Sequence, residues 1–169
     1  MDVTVRGAIA ADSERLQSIE REAGEQFRSV GLGAVADHAP FSVDELVAYV
    51  NDGRSWVATE ADAILGYVVV DRVGRAAHVE QVSVVPEAQG RGIGRRLMDQ
   101  AHSWARTQGF DAITLTTFRD VSWNAPLYAH LGYRPLGEDE LSDALRALRD
   151  EEAEHGLDPA TRVCMRLDL

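Results

Sequence analysis

A chain of 169 residues, 45% hydrophobic and 27% charged, is sized for one domain with a sizeable core. A net charge of −11 excludes a broad basic face for nucleic acid and favours a cationic partner such as an amine. No apolar run reaches bilayer length, the start Met1-Asp2-Val3-Thr4-Val5-Arg6 has no secretory core, and Cys164 is the only cysteine, so a cytoplasmic protein with no membrane contact is expected.

Val3 and Val5 alternate with polar residues and predict an opening strand. Asp12 is placed to cap a helix carrying Leu16, Ile19, Ala23 and Phe27 on one face, with Gly31 and Gly33 ending that region. Ser42-Val43-Asp44-Glu45 reads as a capping box before Leu46, Val47 and Val50, a second helix stopped at Gly53. Three strands follow, over 55–60, 64–70 and 76–85, with a turn at Asp62-Ala63 and Gly74 before the last. The next helix puts Ile93, Leu97, Met98, Ala101, Trp104 and Ala105 on one face and closes at Gly109. A β-branched strand covers 113–117. Asn124 and Pro126 open a short helix through Leu131, and Gly132 to Leu136 turns into another strand. A charged helix over 139–155, with Leu141, Ala144, Leu145 and Leu148 inward, precedes the last strand, 162–167, in which Cys164 reads as a small buried hydrophobe. With no repeats or linkers, residues 1–169 read as one α/β (α+β) domain with a mixed sheet.

The segment from His78 to Gly94 carries the chemistry. It reads as strand, turn and glycine-studded helix entry, which aims bare N–H groups at one point as phosphate binding requires. A turn built only for tight packing is the plain alternative. Gly90-Arg91-Gly92-Ile93-Gly94 has the wrong spacing for a dinucleotide G-x-G-x-x-G, and no Gly-Lys-Ser/Thr follows as in a P-loop. Period-two alternation puts His78, Glu80, Val82 and Val84 on one face of the strand.

Gln89-Gly90-Arg91-Gly92-Ile93-Gly94 resembles the Q/R-x-x-G-x-G/A signature of the GNAT superfamily of acyl-CoA-dependent N-acyltransferases. Val82-Ser83-Val84-Val85-Pro86 is similar to the strand and proline that lead into it, and Asn124 to Tyr128 with Gly132-Tyr133 is similar to the family's Asn…Tyr-x-x-x-Gly-Phe/Tyr segment. The resemblance covers nearly the whole element order. It implies the GNAT fold, with a mixed central sheet of about six to seven strands flanked by helices, and an extra helix before the last strand.

The resemblance also implies acetyl-CoA as co-substrate, no metal, and a small-molecule or peptide amine as acceptor. The N–H groups of Gly90, Arg91, Gly92, Ile93, Gly94 and Arg95 would cradle the pyrophosphate, beside Gln89, while the backbone of Val82, Ser83 and Val84 pairs with the pantetheine arm. Arg91 and Arg95 would add cationic contacts, with Arg96 left open. An attacking amine, with a pKa near ~10.4, must first lose a proton. Glu80 is the implied base, His78 shares the task or holds substrate, and Tyr128 is the implied acid toward the thiolate. Asn124 stands four residues before Tyr128 where many members have seven, so it either touches coenzyme A or only caps its helix. Glu20, Glu22, Glu25 and Phe27 could greet the amine, and Phe118 and Trp123 could wall its pocket. The helix over 139–155 either covers that pocket, forms a homodimer interface or is a plain solvated face. A catalytically silent acyl-CoA sensor or interaction module is the other functional class this pattern admits.

Overall fold

The alternation around Val5 yields β1 (Thr4–Gly7) in a computed structural model that describes residues 2–169. Asp12 does not cap the helix that follows, α1 (Ser13–Gly24). Its carboxylate accepts the Ile9 N–H at 2.9 Å and pairs with Arg6 at 2.9 Å, so donors upstream outcompete the helix's own N–H groups. Leu16 and Ile19 of α1 are fully buried as the spacing predicts. Phe27 leaves that face because α1 ends at Gly24 and residues 25–30 tighten into a 3₁₀ turn, where Arg28 pairs with Glu25 and Asp37. A further single turn, α2 (Gly33–Ala36), forms where the two glycines predict only a stop. In α3 (Val43–Asn51) the expected cap is present: Ser42 Oγ accepts the Glu45 N–H at 3.1 Å.

Then come β2 (Ser55–Glu60), β3 (Ala63–Val73) and β4 (Ala76–Val84). The turn between the first two falls at Ala61-Asp62, one residue earlier than expected, with Ala61 at φ +52°. β3 runs three residues past its predicted end, because Asp71 and Arg72 hide the continuation from an apolar pattern. The chain continues through α4 (Ile93–Thr107), β5 (Ala112–Phe118), α5 (Ala125–His130), β6 (Arg134–Pro135), α6 (Asp143–Glu154) and β7 (Arg162–Asp168). Among the described residues the strands form one mixed seven-stranded sheet in the order β1-β2-β3-β4-β5-β7-β6.

Two contact units share this chain, which passes between them inside β3, β4 and α4. The first comprises residues up to Val70 with Gln81–Ser103. Here β1–β2 and β2–β3 are antiparallel, with Val5 opposite Ala58 and Val57 opposite Tyr67. The alternating apolar face of α4 buries Ile93, Leu97 and Met98 almost completely, each contributing ~1.5–3 kcal/mol. Gly66 on β3 is demanded by close approach. A Cβ there would stand 2.7 Å from the Ser83 carbonyl oxygen and 3.2 Å from both Leu97 Cδ1 and Val84 Cγ2. Gly66→Ala is therefore expected to cost about 1–3 kcal/mol, because the nearest obstacle is backbone. Thermal denaturation checks this: a drop of roughly 2–4 °C per kcal/mol is expected, and an unchanged midpoint would mean the strands part freely.

The second unit comprises Asp71–Glu80 and Trp104–Leu169. β5 and β7 pair antiparallel along their whole length, Leu115 opposite Met165, and the short β6 adds to β7. Leu141, Leu145 and Cys164 form a small core closed by Val73, Leu136 and Leu148; Leu145 and Leu148 come from α6, but Leu141, expected inside that helix, precedes it because Ser142 caps α6 by accepting the Leu145 N–H. Burial pushes the Cys164 thiol up to about 11, in keeping with a small buried hydrophobe. No helix among the described residues is long and apolar enough to cross a membrane.

Candidate active site

In the first unit, β4 ends at Val84 and the Gln89 amide folds back to donate to the Val84 carbonyl at 3.2 Å. Gly90 and Gly92 both take φ +77°, which L side chains resist. A Cβ at either would meet nothing within 4 Å, so the turn faces open space. Among the described residues, the N–H groups from Gly90 to Arg95 have no acceptor; the first to find one is Arg96, which donates to the Gly92 carbonyl at 3.1 Å. Bare donors at the start of a fifteen-residue helix favour an anion.

The three arginines differ. Arg95 is exposed and has no ion pair or hydrogen bond among the described residues. Arg91 is held by Glu60 through two hydrogen bonds, 2.8 and 3.2 Å. Arg96 donates to the Val3 carbonyl at 2.5 Å. Val82 and Val84 are half-buried, and Ser83 is buried with its hydroxyl taking the Gln81 amide at 2.8 Å.

In the second unit, β4 and β5 run parallel with Ala77 opposite Ile113 and His78 opposite Thr114. The ladder stops there. Glu80 and Thr116 are the next residues on the same faces, placed where the strands cease to pair. Glu80 is half-buried and shares a hydrogen bond with Asp71 of β3. Burial first, then the charges of Asp71 and Glu152, pushes its carboxyl up to about 7. A carboxylate so placed takes protons near neutral pH.

His78 lies deeper, 1% exposed, with Nδ1 2.8 Å from the Thr114 hydroxyl. Burial pulls it down to about 4, so its ring is neutral at pH 7. Tyr128 of α5 packs edge-on to Tyr133, centroids 6.0 Å apart. Burial pushes its phenol up to about 12, so it holds its proton. The Asn124 side chain does not cap α5: Oδ1 accepts the Thr117 hydroxyl at 2.5 Å, and that bond displaces the cap.

Two residues that the sequence reading did not single out neighbour Glu80, and a third, Arg162, pairs with one of them. Asp71 bonds to it from β3. Glu152 of α6 receives the Thr116 hydroxyl at 2.6 Å and Arg162 of β7 at 2.8 Å. An aspartate in an apolar strand is itself a signal, since such residues are depleted there. Glu152 carries none, being one acid in a charged helix.

The other expected acceptor residues are largely engaged. Glu22 pairs with Arg15 at 2.8 Å and Glu25 with Arg28 at 2.9 Å. Glu20 accepts the Phe41 N–H at 2.9 Å while Gln17 donates to the Phe41 carbonyl at 2.9 Å, so α1 clamps that loop. Phe118 is buried under the Arg162 guanidinium, 4.6 Å from its ring centre, and Trp123 is half-buried. Among the described residues no group of three or more His, Cys, Asp or Glu could hold a metal ion.

Residues 51–135 match the model of the acetyltransferase (GNAT) domain. Mouse N-alpha-acetyltransferase 80 is 41% identical over 81 residues, 46% of this chain, but the match spans only 24% of that protein. An uncharacterized N-acetyltransferase of Bacillus subtilis, YvbK, is 26% identical over 157 residues, 91% of this chain and 99% of its own. In structure, the PaiA N-acetyltransferase of Thermoplasma acidophilum, solved in complex with coenzyme A, superposes over 100% of both chains with a TM-score of 0.75 at 15% identity.

Proposed function

The chain belongs to the acetyltransferase (GNAT) domain family, and from that premise we propose that it moves an acetyl group from acetyl-CoA to a primary amine by direct attack. The observation that carries this reading is the run of free N–H groups from Gly90 to Arg95 around a turn open to solvent. It suits the pyrophosphate of acetyl-CoA, with Arg95 as the available cation. Arg91 contributes its backbone N–H, its guanidinium being held by Glu60. The backbone of Val82, Ser83 and Val84 is assigned to the pantetheine arm. The Asn124 side-chain oxygen, tied to Thr117, is not assigned to coenzyme A.

Glu80 is the base. As a carboxylate it takes a proton from the bound ammonium, and the freed nitrogen lone pair attacks the thioester carbon. The tetrahedral intermediate then gives up its second nitrogen proton to solvent and breaks its C–S bond, and the electron pair leaves with sulfur as a thiolate that takes a proton from solvent. Tyr128 donates a hydrogen bond to the leaving sulfur. A phenol near 12 cannot fully hand its proton to a thiolate whose conjugate acid is near ~8.5, so its contribution is to stabilise developing charge. His78, buried and bonded to Thr114, is assigned to holding β4 against β5 instead of touching substrate.

Tyr128→Phe is expected to lower kcat about 10- to 100-fold and leave acetyl-CoA affinity within about twofold. Steady-state kinetics with titration calorimetry checks this. Unchanged kcat would remove Tyr128 from the chemistry.

A further inference from the structure

Glu80 has company from an element that the family resemblance marks only as an extra helix. Thr116 occupies on β5 the position equivalent to Glu80 on β4, two residues beyond the last ladder pair. Its hydroxyl is bound by both carboxylate oxygens of Glu152, at 2.6 and 3.2 Å. Arg162 completes a triangle, donating to Glu152 at 2.8 Å and to Thr116 at 3.1 Å. The Glu152–Arg162 pair is largely withdrawn from solvent, with side chains 16% and 13% exposed. One side chain of α6 thus fixes that helix to β5 and β7 at the level of Glu80.

We propose that Glu152 is a positioning residue for the reaction: held by Thr116 and Arg162 at the level of Glu80, it fixes the charge beside the Glu80 carboxylate. This rests on the reading of Glu80 as the base. Glu152 touches neither substrate nor thioester and acts through Glu80. The charged groups facing Glu80 are Asp71 from β3 and Glu151 and Glu152 from α6, while β5 offers the neutral Thr116. Arg162 of β7 is spent on Glu152. Removing the Glu152 charge therefore eases ionisation of Glu80 by deleting a negative neighbour.

The test is the pH profile of kcat/KM in the full chain, measured with acetyl-CoA and an accepted amine. Glu152→Gln is expected to move the acid limb to lower pH by roughly 0.5–1 unit. Thr116→Val, which takes a hydrogen-bond donor from the Glu152 carboxylate without changing charge, leaves that charge less compensated and is expected to move the limb to higher pH by less. It also serves if Glu152→Gln does not fold. A structural anchor alone would lower stability and leave the limb in place. An acid limb unmoved in the folded variants overturns the proposal. Glu80→Gln separates the two readings: if it moves the limb from about 7 toward the amine's own pKa while the Glu152 and Thr116 variants leave it unmoved, only the role of Glu152 falls. If the limb stays at about 7 in Glu80→Gln, the base reading falls and Glu152 with it.

Discussion

Glu80→Gln is expected to lower kcat/KM about 10²- to 10⁴-fold and to move the rise of activity with pH from about 7 toward the amine's own pKa near ~10.4. The native carboxyl is held at about 7 by burial and by Asp71 and Glu152, so it is free to accept a proton mainly above that pH. Glutamine keeps the shape and loses the acceptor, leaving only the spontaneously deprotonated fraction of the amine to react. The same group links to stability with a defined sign. Its folded pKa lies above the ordinary 4.5, so the neutral form's contribution is full below 4.5 and is lost as pH rises through about 7. The variant should therefore melt with the native protein near pH 4 and above it near pH 8. After allowance for partial exposure, the gain is ~1 kcal/mol, or about 2–4 °C. Activity versus pH and melting at the two pH values check both halves. Native-like activity with an unchanged profile would move the base elsewhere.

Gly92→Ala is expected to weaken acetyl-CoA binding about 100-fold while the chain still folds. Its φ of +77° costs an L residue ~1–2 kcal/mol, and escape from that strain turns neighbouring N–H groups off their common target. A Cβ there meets no protein atom within 4 Å, so it projects into the open space assigned to the pyrophosphate. Charge-assisted hydrogen bonds contribute ~1.5–3 kcal/mol each, and the loss of one or two accounts for the expected change. Titration calorimetry with acetyl-CoA reads it directly. Native affinity in the folded variant would detach the turn from the cofactor.

The glycine turn was legible because its logic is local. Glycines at fixed spacing, a preceding strand and a following amphipathic helix all lie within one stretch of sequence, and the structure adds the positive φ values and free donors. The mixed sheet was legible in the same way from alternation and punctuation. What failed was competition for polar groups. Asp12 and Asn124 have the right identity for helix caps, but Arg6 with the Ile9 N–H and the Thr117 hydroxyl claim them. The surroundings of Glu80 were also hidden, since Asp71, Glu152 and Arg162 come from three elements far apart in sequence. Nothing in the spacing of α6 distinguishes Glu152 from the acids that stay in solvent.

Thiol release from acetyl-CoA across a panel of primary amines, free and at peptide N-termini, tests the central claim most directly. Amine-dependent release with at least one acceptor, abolished by Glu80→Gln while acetyl-CoA still binds, is the predicted result. Tight acetyl-CoA binding with no release across the whole panel would contradict it and point instead to a silent acyl-CoA-binding module.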